Sequence, residues 1–160
     1  MRRRDVVIDQ LGAVRIDAIL SRFRAESAAR AALLIDDSGQ LVASADAYPP
    51  FDAEAVAALT AGVFNSTAAI ARLLGQPAFT VLFHEGAKES LHVAAVDEHT
   101  LLLAIADELT MPGIVRLLAQ DATDALRAAL TDTREQCATA VALAPPLTTD
   151  ASLALEAPAA

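Results

Sequence analysis

Apolar positions change their period several times along this chain, and each change marks an element. From residue 10 to 28, Ile16, Ile19, Leu20 and Phe23 recur at i, i+3, i+4 and i+7. Arg15, Asp17, Arg22, Arg24 and Glu26 fall largely outside that stripe, the pattern of an amphipathic helix. The period then shortens. Residues 30 to 35 read as an apolar strand and 40 to 45 as a second. Asp36-Asp37-Ser38-Gly39 between them supplies a side chain that bonds turn backbone and a glycine for positive φ, so the two strands form a hairpin. Tyr48-Pro49-Pro50 breaks the chain, because a proline cannot donate to a ladder and restricts the residue before it.

The stretch Asp52 to Gly75 reads as one long helix, with Asp52 as N-cap and Glu54 favouring the helix dipole. Gly75 closes it and Pro77 forbids its continuation. Val56, Leu59, Val63, Ile70, Leu73 and Leu74 share one stripe, which is expected to face the protein's own core. The opposite face holds Ala57, Ala58, Ala61, Asn65, Ala68 and Arg72, with Phe64 at its edge. A solvated helix face normally carries Glu, Lys and Gln, and this one is nearly uncharged. Gly62 sits mid-helix, where it costs roughly 1 kcal/mol relative to Ala and implies a packing reason. The expectation is a helix covered on both sides, by its own sheet and by another protein, although an alanine-rich chain also produces such a face by composition.

Three strands follow. Residues 79 to 85 alternate, Phe79, Val81 and Phe83 against Thr80, Leu82 and His84; residues 90 to 96 form the next, and 99 to 106 an almost continuous apolar run expected to be central. Pro112-Gly113 opens a final helix with Ile114, Leu117, Leu118, Ala122, Leu126 and Leu130 expected on its core face. From Thr131 the period fades into Thr, Ala and Pro. The expected organisation is a 1–10 segment, an 11–131 domain and a largely disordered 132–160 tail, with a short helical continuation to about Ala142 left open. The order α-β-β-α-β-β-β-α with tight turns implies antiparallel pairing and an α+β sandwich.

Composition narrows the function. The chain is 54% hydrophobic but only 4% aromatic, and no apolar run reaches the roughly 18 residues of a membrane span. The start MRRRDVVIDQLG has no apolar h-region, so a cytoplasmic location is expected. A net charge of −9 argues against nucleic acid, whose phosphates select basic surfaces. Cys137 stands alone and excludes an internal disulfide. No GxxxxGK[ST] or GxGxxG is present. His84 and His92 flank one hairpin and could approach each other, but no cysteine lies near to complete a metal set. His84-Glu85 and Asp107-Glu108 sit at strand ends, where solvated charges are ordinary, and Arg72 and Arg116 read as solvated or interface charges rather than catalytic fingers. No active site, metal site or cofactor site is expected.

Ala32-Leu33-Leu34-Ile35-Asp36 with Gly39, then Leu59-Thr60-Ala61-Gly62 and Leu73-Leu74-Gly75, then Phe83-His84-Glu85-Gly86-Ala87-Lys88-Glu89-Ser90-Leu91, occur in an order and spacing that resemble the Roadblock (dynein light chain) family. The resemblance covers roughly residues 11 to 130 and is nearest to the bacterial MglB-type branch. It implies a profilin-like, five-stranded antiparallel sheet with the long helix on one face and the terminal helices on the other. It also implies homodimers whose long helices pair and whose sheets join edge to edge, here through Phe79, Val81 and Phe83. The implied partner is an MglA-like small Ras-like GTPase, in motility or cell polarity, whose GTP hydrolysis is stimulated without an inserted arginine. Carried over, the interface comprises Ala57, Ala58, Ala61, Gly62, Asn65, Ala68, Ala69 and Arg72. Two positions depart from the branch: Val63 and Phe64 follow Ala61-Gly62 where Asn is usual, and the stretch 116–121 keeps one cation. The rival expectation is a dimeric scaffold that binds a GTPase or another Roadblock protein without changing turnover.

Overall fold

An aspartate opens each of the first two helices. In the computed structural model, which describes residues 8–46 and 51–143, Asp9 accepts from the Gly12 amide at 2.8 Å and Asp52 from the Ala55 amide at 3.0 Å. The helices are α1 (Gln10–Ser27) and α2 (Ala53–Leu73); α2 ends as expected, with Gly75 at φ 68°. The strands β1 (Ala31–Asp36), β2 (Leu41–Asp46), β3 (Val81–Glu85), β4 (Glu89–Asp97) and β5 (Thr100–Asp107) match the apolar runs to within one or two residues. The Tyr48-Pro49-Pro50 break, the segment 1–7 and residues 144–160 lie outside the described residues.

The last helix, α3, runs Pro112–Leu143, so residues 132–143 are helical rather than tail. Its continuation is anchored: Arg15 donates to Asp132 at 2.5 Å, Arg134 pairs with Asp97 at 2.8 Å, and Thr133 is buried against α1. A Cβ on Gly12 would stand 2.3 Å from the Thr133 hydroxyl, so only glycine lets α1 approach α3 this closely.

The five strands form one antiparallel sheet in the order β2-β1-β5-β4-β3. The strand β5 is central, with all but its last residue buried, as its unbroken apolar run required. Alternation sends Ala32, Leu34, Leu102, Ala104 and Val96 to one face, under Ile16, Leu20 and Phe23 of α1 and Val115, Ala119, Leu126 and Leu130 of α3. It sends Leu33, Ile35, Val93, Leu101 and Leu103 to the other, under α2. The architecture is therefore an α+β sandwich with the long helix on one face and the two terminal helices on the other.

Two apolar stripes are not where periodicity put them. On α3, Val115 and Ala119 face the sheet, whereas Ile114 and Leu117 are exposed and Leu118 is half-buried. On α2 most of the large apolar stripe lies outside, while Ala57 and Ala61 of the expected outer face lie inside.

Candidate protein-interaction surface

The fully buried residues that seat α2 on its sheet are small, with Val56 and Phe64 packed half-buried beside them. Ala57, Thr60, Ala61 and Ala71 are buried, while Leu59, expected in the core, is 72% exposed and Leu73 87%. Val63, Ile70 and Leu74 are exposed with them, and Val56 is half-buried. The correction has a physical reason. An alanine face lets helix and sheet backbones come close, and a periodicity argument cannot tell a leucine stripe meant for the chain's own core from one meant for another chain. By length and mean hydropathy of 1.3 α2 could span a bilayer, but here its alanine face packs on a sheet.

The helix is held sideways by the β1–β2 turn. The Asp36 carboxylate accepts from the backbone amides of Ser38 (3.0 Å) and Gln40 (2.8 Å), and Gly39 takes φ 90°. A Cβ there would lie 2.7 Å from the Ala58 Cα, so the turn abuts the helix backbone. Two turns on, the Asn65 side-chain amide donates to the Asp37 carbonyl at 2.9 Å. Asp37 is itself held by the β4–β5 turn, through its side chain at 2.8 Å from His99 Nδ1 and its amide at 2.9 Å from the His99 carbonyl.

These contacts sort the sequence-expected surface. Ala57 and Ala61 are inside the fold and cannot meet a partner; Ala68 and Ala69 are half-buried; Ala58, Gly62, Asn65 and Arg72 are exposed. Among the described residues nothing beyond the helix's own backbone lies within 4 Å of where a Cβ on Gly62 would be, so no packing within them calls for glycine there. The outer face of α2 thus carries large apolar side chains beside a strip of small ones. On the same side of the sheet, Leu82, Leu91 and Ala95 are only partly covered. The leucines were in the sequence pattern; what was missed is that they point outward.

β3 is an edge strand. Val81 and Phe83 are exposed on its α3 side, and Phe79 lies just before the strand, also exposed. An apolar edge with unpaired backbone groups is a template for another strand.

Among the described residues no group of three or more His, Cys, Asp and Glu could hold a metal. His84 pairs with Leu91 and His92 with Phe83, so the two histidines point to opposite faces and do not meet. His92 is buried under α3 with neither ring nitrogen hydrogen-bonded to another described residue, and burial, aided by the Arg116 charge, lowers its pKa. Burial alone would raise Asp97, but the His99 amide at 2.9 Å and the Arg134 guanidinium hold its carboxyl below the usual range. This carboxylate ties the β4–β5 turn to α3, which is a structural task.

The Roadblock/LC7 domain profile matches residues 15–106. The chain belongs to the Roadblock/LC7 family. Among solved structures, it is 35% identical to Myxococcus xanthus MglB over 73% of this chain and 95% of that one, with TM-score 0.70. It is 32% identical to the gliding protein MglB of Thermus thermophilus, over 79% and 96% with TM-score 0.75. A structure described as MglB with tetrameric arrangement has the same identity and coverage, with TM-score 0.76. A comparison with curated proteins found no match.

Proposed function

We propose that this Roadblock chain is a homodimeric, non-enzymatic regulator that binds an MglA-like small GTPase in the cytoplasm and stimulates its GTP hydrolysis, in cell polarity or motility control. The observation that carries the reading is the outward apolar stripe of α2, Leu59, Val63, Ile70, Leu73 and Leu74, next to a sheet face that one helix leaves partly bare. A second α2 would cover both, and the bare β3 edge would join the sheets. The likeness to MglB structures supports the same reading.

In such a dimer the exposed Ala58, Gly62, Asn65 and Arg72 offer the GTPase a strip with a single charge. A surface of this kind acts by holding the partner's own switch segments and catalytic groups in position, which is catalysis by orientation. One observation favours the scaffold alternative: the Asn65 amide is already engaged by Asp37, so it holds the fold rather than reaching outward.

Single-turnover GTP hydrolysis by an MglA-like GTPase, with and without this protein, is the test. Acceleration of up to roughly a hundredfold, about 2.7 kcal/mol of barrier, fits repositioned groups without an added catalytic one. Co-elution with an unchanged rate means a scaffold. Neither binding nor acceleration refutes both.

A further inference from the structure

We infer that the open face and edge of β3 receive the chain's own residues 152–156, added to the sheet as a sixth strand. On the side of the sheet away from α2, α1 lies over β1 and β2, and α3 over β4 and β5. His92 and Ala94 of β4 are buried there, whereas Phe83 and Val81, their direct partners across the ladder, are 42% and 41% exposed. Beyond them β3 is the edge of the sheet, and each of its residues except Leu82 is exposed. One added strand covers both, its backbone pairing with the edge and its side chains lying beside Val81 and Phe83.

The sequence after α3 fits that place. Beyond Leu143 the large apolar residues are Leu147, Leu153 and Leu155. Leu153 and Leu155 stand two apart, the spacing that puts both on one face of a strand, as Val81 and Phe83 are on β3. Pro146 and Pro158, which cannot donate to a ladder, fall outside the run.

Reach sets the direction. Arg134 of α3 pairs with Asp97 at the end of β4, and the Ala95 amide donates to the Thr80 carbonyl at 2.9 Å. This point of α3 therefore stands at the end of the sheet where β3 begins. From there α3 runs on to Leu143, about 14 Å. Residues 144–151, extended, span up to about 26 Å. That length doubles back over the overshoot and crosses the strand spacings of about 5 Å between β4 and the added position. It does not also cover the roughly 17 Å to the far end of β3, so the added strand runs parallel to β3.

One edge takes one strand. Joining two sheets through β3, as proposed above, therefore requires the segment to leave first; the docking itself does not rest on the GTPase reading.

Two measurements on the full chain test it. In a Leu73→Asp background, Leu153→Asp with Leu155→Asp is expected to speed hydrogen exchange of the amides in residues 81–85 at least about tenfold and to leave β5 unchanged. Equal exchange with and without the two leucines overturns the inference, as does protection that follows protein concentration instead. In a Cys137→Ser chain, a nitroxide on Glu156→Cys is expected to broaden the amide resonances of residues 81–85. The same nitroxide chain without isotope, mixed with an isotope-labelled chain that carries no nitroxide, is expected to broaden none. Broadening in the mixture gives the edge to a second copy's segment, and no broadening in either sample places the segment elsewhere; both overturn the inference.

Discussion

The side-chain amide of Asn65, near the middle of α2, donates to the backbone carbonyl of Asp37 in the β1–β2 turn at 2.9 Å. Together with the abutment of Gly39 on Ala58, it fixes where α2 lies across the sheet and hence which of its side chains face outward. Asn65→Ala is expected to cost about 1 kcal/mol in chemical denaturation, the worth of one ordinary hydrogen bond. Under the proposed GTPase reading, substituting a structural Asn65 lowers stimulation only as far as α2 shifts; a tenfold loss of stimulation with unchanged stability would instead make it a direct contact.

Gly62 has open space around it. Gly62→Ala is therefore expected to stabilise the isolated chain by up to about 1 kcal/mol, from helix propensity alone. If a partner backbone approaches there, the same substitution weakens that partner's binding. Thermal melts and GTPase titration on one preparation separate the two effects.

Substitutions on the two faces of α2 should have opposite signatures. Ala61 is buried, so Ala61→Arg forces a long charged side chain against the sheet and is expected to unfold the domain or lower its stability by several kcal/mol. Leu73→Asp, on the exposed face, is expected to leave the circular-dichroism spectrum intact and halve the mass of the proposed α2-dependent dimer in light scattering. A dimer that survives Leu73→Asp and also Leu59→Asp removes the α2 stripe from the interface.

His92 predicts a pH dependence. Its folded pKa lies below the ordinary 6.5, so the unfolded chain binds the proton more readily. The stability this neutral histidine permits is complete above the unfolded pKa and is lost progressively as pH falls below it. His92→Leu should flatten the denaturation midpoint between about pH 7 and pH 5. An equal slope in the wild type and the variant would assign the dependence to other groups. Asp97, held below its usual value, contributes at lower pH: its stabilisation is present above the unfolded carboxylate pKa and disappears as pH falls through the folded one.

Element order, strand positions, the Asp36–Gly39 turn and the central place of β5 were legible in the sequence by itself, because caps, turns and period-two alternation are local matters. The family was legible too, from segments whose order matters more than any one of them. What only the tertiary structure decided is which side of a two-faced helix is inside. Leu59 and Ala57 both suit burial; the choice fell to Ala57, because the Gly39 and Asn65 contacts draw α2 down onto the sheet. The same holds for Val115 against Leu117 on α3. Hydrophobicity read along a chain tells how much surface seeks cover, and only the fold determines whether the cover is the same chain or another.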